Sequence, residues 1–359
     1  MTAPAELPIP RLKVVTREVD SVDDVLAYTH PSSPMFWSRR GDAIAGYDQA
    51  MVFTRTGGPS TFDFGARWRA LAANAEIDDP VGLPGSGLIA FGAFAFDPRS
   101  DAPSILSVPS IVVGRRGDRS WVTHITDARS DDDAASGGLP ASEEYGPHWS
   151  ATLGPGALDP GGYQAAVRAG LEAIAAGEVS KVVLARDLAG SVPPGSDLRR
   201  LVRALASGYP DCWAYAVDGM IGASPETLVT VSGGTVTARV LAGTAPRGAD
   251  ADADTAASLA LATSAKDQDE HLYAVQSVLA SLRPHTSVLA ASEQPFTLKL
   301  PNVFHLATDV EGELSDGASA LDLVATLHPT AAVAGTPTDA ALAVIRRLEP
   351  RDRGRYAGP

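Results

Sequence analysis

Residues 87–98, GLIAFGAFAFDP, form an apolar run broken by Gly92. Such a run cannot lie on a solvated sheet face. It suits a strand buried on both faces, with the glycine allowing close backbone approach. Its surroundings read as strands and turns: residues 35–39 and 43–54 carry the aromatic and β-branched side chains of half-buried strands, and 111–113 with 121–125 suit a hairpin around GRRGDR.

From 127 to 155 the composition shifts to Asp, Ser, Gly and Pro, including Asp131, Asp132 and Asp133. This predicts a long exposed connection between a β-rich N-terminal half, 1–150, and a second half, 151–359. No repeat of fixed period is present. The second half alternates. Tyr163, Val167, Leu171 and Ile174 recur at helical spacing before Gly177, and 179–188 (VSKVVLARDL) reads as a strand. A helix over 198–207 and a strand over 212–217 follow, then a hairpin of 227–231 and 235–241 around Ser232-Gly233-Gly234. A long helix is expected over 264–282, with Leu272, Val275, Leu279 and Leu282 inward and Pro284 as its stop. The pattern predicts a mixed α/β architecture.

Bulk properties exclude several function classes. A formal net charge of −14 repels phosphate backbones, so no nucleic-acid partner is expected. The single Cys212 leaves no disulfide framework and no multi-cysteine zinc site. The N-terminus lacks a basic start and apolar core, and no apolar stretch approaches membrane-spanning length. A soluble, cytoplasmic protein with no membrane association is expected.

Several polar residues fall where chemistry could occur. Period-two alternation puts Lys181 on one face with Val179, Val183 and Ala185. On position alone the commoner explanation is a lysine that snorkels from an edge strand. The functional alternative is an amine of depressed pKa acting as general base. Glu226, in GASPETLV, reads alone as a surface glutamate; beside such a base it becomes a candidate general acid. Asp267, Glu270 and His271 share a helix face in SAKDQDEHL. They form either a solvated charged face or a source of hard oxygen donors for Mg²⁺. LAGTAPRG, 241–248, ends a strand in a Gly-Thr turn able to cradle a carboxylate. No HExxH, phosphate loop or strand-linked GxGxxG is present.

In order, SKVVLAR, GASPETLV, LAGTAPRG, SAKDQDEH, LPNVFHLATDVEGEL, LHPTAAVAGTP and LEPRDRGRYAGP resemble the chorismate-utilising enzymes. That family includes isochorismate synthase, salicylate synthase, anthranilate synthase component I and aminodeoxychorismate synthase. The resemblance implies a large two-layered α/β (α+β) sandwich, with mostly antiparallel sheets at the centre and helices outside.

Lys181 matches the water-activating lysine of the isochorismate and salicylate branches. Ala242 stands where aminodeoxychorismate synthases carry a nucleophilic lysine. Water is therefore the implied nucleophile, and no glutaminase subunit is expected. The implied activity is an isomerase converting chorismate to isochorismate, for menaquinone or siderophore synthesis. The alternatives are salicylate synthesis or a non-catalytic chorismate-binding relative. Implied roles are Lys181 as base and Glu226 as acid, with Ala242, Gly243, Thr244, His305, Tyr356 and Gly358 contacting substrate. Mg²⁺ would be held by Glu270 and, through water, by Asp267. The family continues past YAGP with a Val-Gly-Trp strand, a substrate arginine and a last metal glutamate. The resemblance thus predicts a C-terminally truncated sequence that, expressed alone, is poorly soluble or inactive.

Overall fold

A computed structural model describes residues 9–58, 63–129 and 137–359. The first part supplies strands β1 (Leu12–Val19), β2 (Met35–Arg39), β3 (Asp42–Tyr47) and β4 (Met51–Arg55), then helix α1 (Gly65–Asn74). Strands β5 (Glu76–Asp78), β6 (Phe91–Ala93), β7 (Ser104–Val108), β8 (Ile111–Arg116) and β9 (Arg119–Asp127) follow. Next come β10 (Thr152–Pro155), α2 (Pro160–Ala175), β11 (Lys181–Val182), β12 (Leu188–Ser191) and α3 (Arg199–Gly208). Then come β13 (Trp213–Val217), β14 (Met220–Ser224), β15 (Thr227–Ser232), β16 (Thr235–Pro246), α4 (Ala251–Thr263) and α5 (Ala265–Leu282). The chain closes with β17 (Thr286–Ala291), β18 (Phe296–Lys299), β19 (Val303–Leu314), α6 (Ala320–Leu327), β20 (Gly335–Thr336) and α7 (Thr338–Leu348).

Two large sheets organise these elements. One has eight strands in the order β14-β13-β2-β3-β8-β9-β1-β5, antiparallel except where β1 meets β5. The other runs β15-β16-β19-β17, with β18 pairing the opposite stretch of β19. Residues 213–224 thus complete a sheet begun by the N-terminal half, so the two halves share one layer. Among the described residues, no helix is long and apolar enough to cross a membrane.

Alternation explains the layering. In β8, Val112 packs with Leu12, Phe64 and Ile125, while Val113 packs on the other face with Phe36, Ala45 and Val202 of α3. In the second sheet Val236, Ala238, Val240 and Val310 face Ala274, Val275, Val278 and Leu282 of α5. That helix starts where Ser264, the C-cap of α4, accepts a hydrogen bond from the Asp267 backbone N–H.

Several elements differ from the sequence reading. The 87–98 run is buried over 93–97 and mostly half-buried before it, and only Phe91–Ala93 is strand, at the edge of β4-β7-β6. Beyond it the Phe94 and Phe96 N–H groups donate to Pro359 and Gly354 carbonyls, so the C-terminal segment acts as the missing partner. Gly92 lies against the Phe94 ring, not against another backbone. The 43–54 strand divides at Asp48 into β3 and β4, in different sheets. The 179–188 strand shrinks to β11, paired with β20, and β12 pairs with β10 instead.

Helix faces also rotate. Helix α2 buries Ala166, Gly170 and Ala173 and leaves Leu171 60% exposed, because Gly170 packs against Val182 and Leu184. Small residues win that face because they allow close approach. In α5, Leu272 is 52% exposed and His271 takes its place inside.

The expected exposed connection has no buried residue where it is described, yet it is tethered; Asp131, Asp132 and Asp133 lie outside the described residues. The Trp149 indole donates to the Asp197 carbonyl at 2.8 Å, and the Gly146 N–H donates to the Asp197 carboxylate at 2.9 Å. Fully buried Arg199 pairs with Asp197 at 2.8 Å and donates to the Glu143 and Glu144 carbonyls. Arg199, Arg200 and Arg203 all lie against the Tyr145 ring. Removing one partner strands a buried charge, so Arg199→Ala should lower unfolding free energy by about 3–5 kcal/mol. Arg347→Ala, at an exposed pair with Glu178, should cost no more than about 1 kcal/mol. Urea denaturation of both variants reads the difference.

Candidate active site

The site forms where the two sheets meet. Strand β14 ends the eight-stranded sheet at Ser224, and β15 opens the other at Thr227. Glu226 occupies the turn between them. Its N–H donates to the Ser224 hydroxyl at 3.2 Å, and the next residue is fixed by the Trp213 indole donating to Thr227 Oγ1 at 2.9 Å. Pro225 sets the backbone between.

Lys181 approaches from β11. The Ser180 and Val183 N–H groups donate to the Thr336 and Ala334 carbonyls, and Gly335 lies so near the Lys181 carbonyl that a Cβ would come within 2.1 Å. Lys181 is 9% exposed; its amine is shut from solvent and makes no hydrogen bond among the described residues. It does not snorkel. Glu270 Oε1 lies 3.5 Å from Nζ, and this carboxylate side chain stays 35% exposed.

Burial acts oppositely on the two groups. It pushes the Lys181 amine below the ordinary lysine value, against the opposing pull of Glu270 and Glu226. It raises Glu226 from 4.5 to about 7, opposed by Lys181 and by the Leu241 N–H. Both shifts favour the neutral forms, an amine that can accept a proton and a carboxyl that can donate one.

Strand β16 supplies the third wall. Its ladder with β19 slips a register between Ala242 and Thr244, leaving Gly243 bulged at φ +80°. A Cβ there would press on Asp267 and Leu306 at 3.3 Å. The Ala242 methyl belongs to the core beneath α5. The Thr244 hydroxyl is 2.9 Å from His305 Nδ1, and burial lowers the His305 pKa against the opposing Gly243 carbonyl. Buried His271 meets the Ala242 carbonyl at 3.1 Å and the Thr308 hydroxyl at 2.7 Å; burial lowers its pKa as well.

Tyr356 and Gly358 lie on the C-terminal segment. Gly358 abuts the Phe94 carbonyl too closely for any side chain, and Tyr356, 62% exposed, stands in the electrostatic reach of Tyr215. An almost fully buried pair holds this segment to the lysine strand. Arg353 binds Glu349 at 2.6 Å, donates to the Val183 and Val333 carbonyls and covers the Phe96 ring; Glu349 accepts the Ala185 N–H at 2.8 Å. LEPRDRGRYAGP supplied its tyrosine and glycine to the sequence reading but not this pair. No local rule marked it, because Glu349 and Arg353 lie beyond the end of α7, where a four-residue spacing has no helical meaning.

Asp267 and Glu270 offer hard oxygen donors one turn apart on α5. Among the described residues no three His, Cys, Asp or Glu side chains cluster closely enough to enclose a metal. Two carboxylates alone would leave a hard cation such as Mg²⁺ to be completed by water and an anionic ligand. A cavity of about 680 Å³ elsewhere, lined by Arg39, Arg40, Trp213 and Arg239, includes none of Lys181, Glu226 or Glu270. Its arginines are engaged: Arg40 with Asp211, Arg239 with Asp309, and Arg39 with the Asp211 carbonyl and the Trp213 ring.

Residues 5–359 match the model of a family described as chorismate binding enzyme. The chain belongs to the chorismate-binding enzymes. It is 39% identical to isochorismate synthase DhbC of Bacillus subtilis over 56% of its own length and 53% of that protein. It thus spans about half the length of that relative. It is 30% identical to the salicylate biosynthesis isochorismate synthase of Pseudomonas aeruginosa, over 98% of this chain and 78% of that one. Among solved structures it superposes, with TM-score 0.73 and 29% identity, on one assigned as a 2,3-dihydroxybenzoate-specific isochorismate synthase, DhbC, of Bacillus anthracis, covering 92% of this chain and 81% of the other. The expected family and the antiparallel α/β architecture are both borne out.

The raised Glu226 carboxyl has a consequence for stability. Between pH 4.5 and about 7 the folded chain holds a proton that the unfolded chain releases, so its stability falls as pH rises through that window. Glu226→Gln removes the penalty. Thermal unfolding should show the variant gaining on wild type from pH 4.5 to about 7 and keeping its margin above.

Proposed function

We propose that this chorismate-binding enzyme converts chorismate to isochorismate in a Mg²⁺-dependent reaction. The observation that carries the reading is the buried Lys181 amine set in the same field as a carboxyl raised to about 7. The names of the relatives support the substrate.

Lys181, neutral when the reaction begins, takes a proton from the water whose oxygen bonds to C2. The two ring double bonds shift, and the C4–O bond breaks as Glu226 delivers its proton to the departing hydroxyl, which leaves as water. Lys181 then carries an ammonium and Glu226 a carboxylate, and proton return from one to the other resets the pair. No net oxidation occurs. Gly243 and Thr244 would contact a substrate carboxylate, with His305 beside them. Tyr356 would face the enolpyruvyl group. Glu270 would hold the metal and Asp267 a water on it. When bound, the ion supplies positive charge that fixes and polarises the ring carboxylate.

Chromatography of products from chorismate incubated with the protein, with and without Mg²⁺, tests this reading. Isochorismate is expected, dependent on the metal. Salicylate with pyruvate would transfer the chain to the salicylate branch, and no conversion would leave it a binding relative. Where wild type is active, Lys181→Met and Glu226→Gln should each lose about a hundred- to ten-thousand-fold in kcat. The pH profile of kcat/KM should be bell-shaped with one break near pH 7, its breaks belonging to the coupled Lys181–Glu226 pair.

A further inference from the structure

His271 has no part in the proton transfers above, yet it is buried, and both its ring nitrogens are engaged. It follows Glu270 on α5 and points into the interface with the second sheet. Nδ1 lies 3.1 Å from the Ala242 carbonyl, and Nε2 lies 2.7 Å from Thr308 Oγ1 on β19. A carbonyl can only accept, so Nδ1 carries the hydrogen and donates. The Thr308 hydroxyl fixes the other side of the ring.

The carbonyl so held is an unusual one. It belongs to the peptide that enters the β16 bulge, where ladder pairing lapses between Ala242 and Thr244. Its planar trans peptide also carries the Gly243 N–H, which therefore points opposite to the carbonyl. Gly243 itself sits at φ +80° against Asp267. A register shift leaves this peptide at an irregular point of the ladder, and His271 gives its carbonyl a fixed side-chain partner.

We infer that His271 is a positioning residue: its Nδ1–H locks the Ala242–Gly243 peptide, and so sets the direction of the Gly243 N–H and of the Thr244 hydroxyl that follows. The same helix turn carries Glu270 and Asp267, so one ring ties the loop proposed to receive a carboxylate to the acids proposed to serve the metal. The functional consequence rests on chorismate being the substrate; the lock itself does not.

The two ring nitrogens can be imitated separately. An asparagine amide reaches the place of Nδ1, and a glutamine amide the place of Nε2. His271→Asn should keep the donor to Ala242, and His271→Gln should keep only the partner of Thr308. The lock is read first on the Gly243 amide resonance, one of the seven Ala-Gly signals that ¹³C-alanine with ¹⁵N-glycine labelling selects and assigned by the signal lost in Ala242→Ser. It should stay sharp and near its wild-type position in His271→Asn, and move or broaden in His271→Gln. With chorismate and Mg²⁺, His271→Asn should stay within about threefold of the wild-type KM. His271→Gln should raise KM about tenfold with kcat changed far less, the cost of an unpaired carbonyl in the binding loop. Equal behaviour of the two variants on the Gly243 amide, or equal KM values, would overturn the inference, since a space-filling role does not distinguish the nitrogens. Thr308→Val, which removes one hydroxyl at nearly constant volume, serves if His271→Gln does not fold. It should broaden the Gly243 amide, and an unchanged signal would equally overturn the inference. Absence of wild-type turnover would instead sink the chorismate reading, while the amide signal would still report the lock.

Discussion

An amine enclosed by protein and offered no hydrogen bond is expensive to keep charged. Lys181 is in that position, with the Glu270 carboxylate 3.5 Å away as its counter-charge. Withdrawing an ion from water costs several kcal/mol even after relaxation, and one imperfect partner does not repay that. The protein's other buried ions are treated differently. Arg199 and Arg353 each receive a bidentate carboxylate and backbone carbonyls besides. Those two clusters hold the structure together, whereas Lys181 is left underpaired beside a carboxyl that burial also pushes toward neutrality. Underpaired ionisable groups of this kind are a mark of acid–base sites.

The rest of the architecture holds that pair in place. Lys181 sits on a two-residue strand, too short to fix its own direction, and is gripped by Gly335 and Thr336 on one side. Two and four residues on, Arg353 and Glu349 take the Val183 carbonyl and the Ala185 N–H and stand in for a neighbouring strand. Arg346 of α7 pairs with Asp97, and the Phe94 and Phe96 N–H groups bind the C-terminal segment to the apolar run at 87–98. Glu226 is placed independently, by the crossing of the chain from one large sheet to the other. Two separate supports therefore converge on one small space.

Much of this was legible in the sequence, for reasons that can be traced to particular residues. The GRRGDR hairpin, the Ser232-Gly233-Gly234 hairpin and the long helix expected over 264–282 follow from local rules, and all three hold. Lys181 on an apolar face announced a conflict that only burial or a partner could resolve. What failed were inferences from size and exposure. Leu171 and Leu272 lost their inward places to Gly170 and His271 because close helix–sheet contact favours small or hydrogen-bonded side chains there. The polar stretch containing Tyr145 and Trp149 is exposed or half-exposed as expected, but its tethers, Asp197 and Arg199, lie about fifty residues away and left no local signal. The His271–Thr308 contact had a faint signal, a threonine on the same strand face as Leu306 and Val310. Its partner could not be named without the fold.

The central claim is electrostatic: the space shared by Lys181 and Glu226 is dry enough to keep a carboxyl protonated near neutrality. Infrared difference spectra between wild type and Glu226→Gln, recorded across pH, observe that carboxyl directly. The account predicts a protonated C=O band present at pH 6 and titrating away around pH 7. A carboxylate already fully ionised at pH 5.5 would contradict it, and with it the assignment of Glu226 as the proton donor.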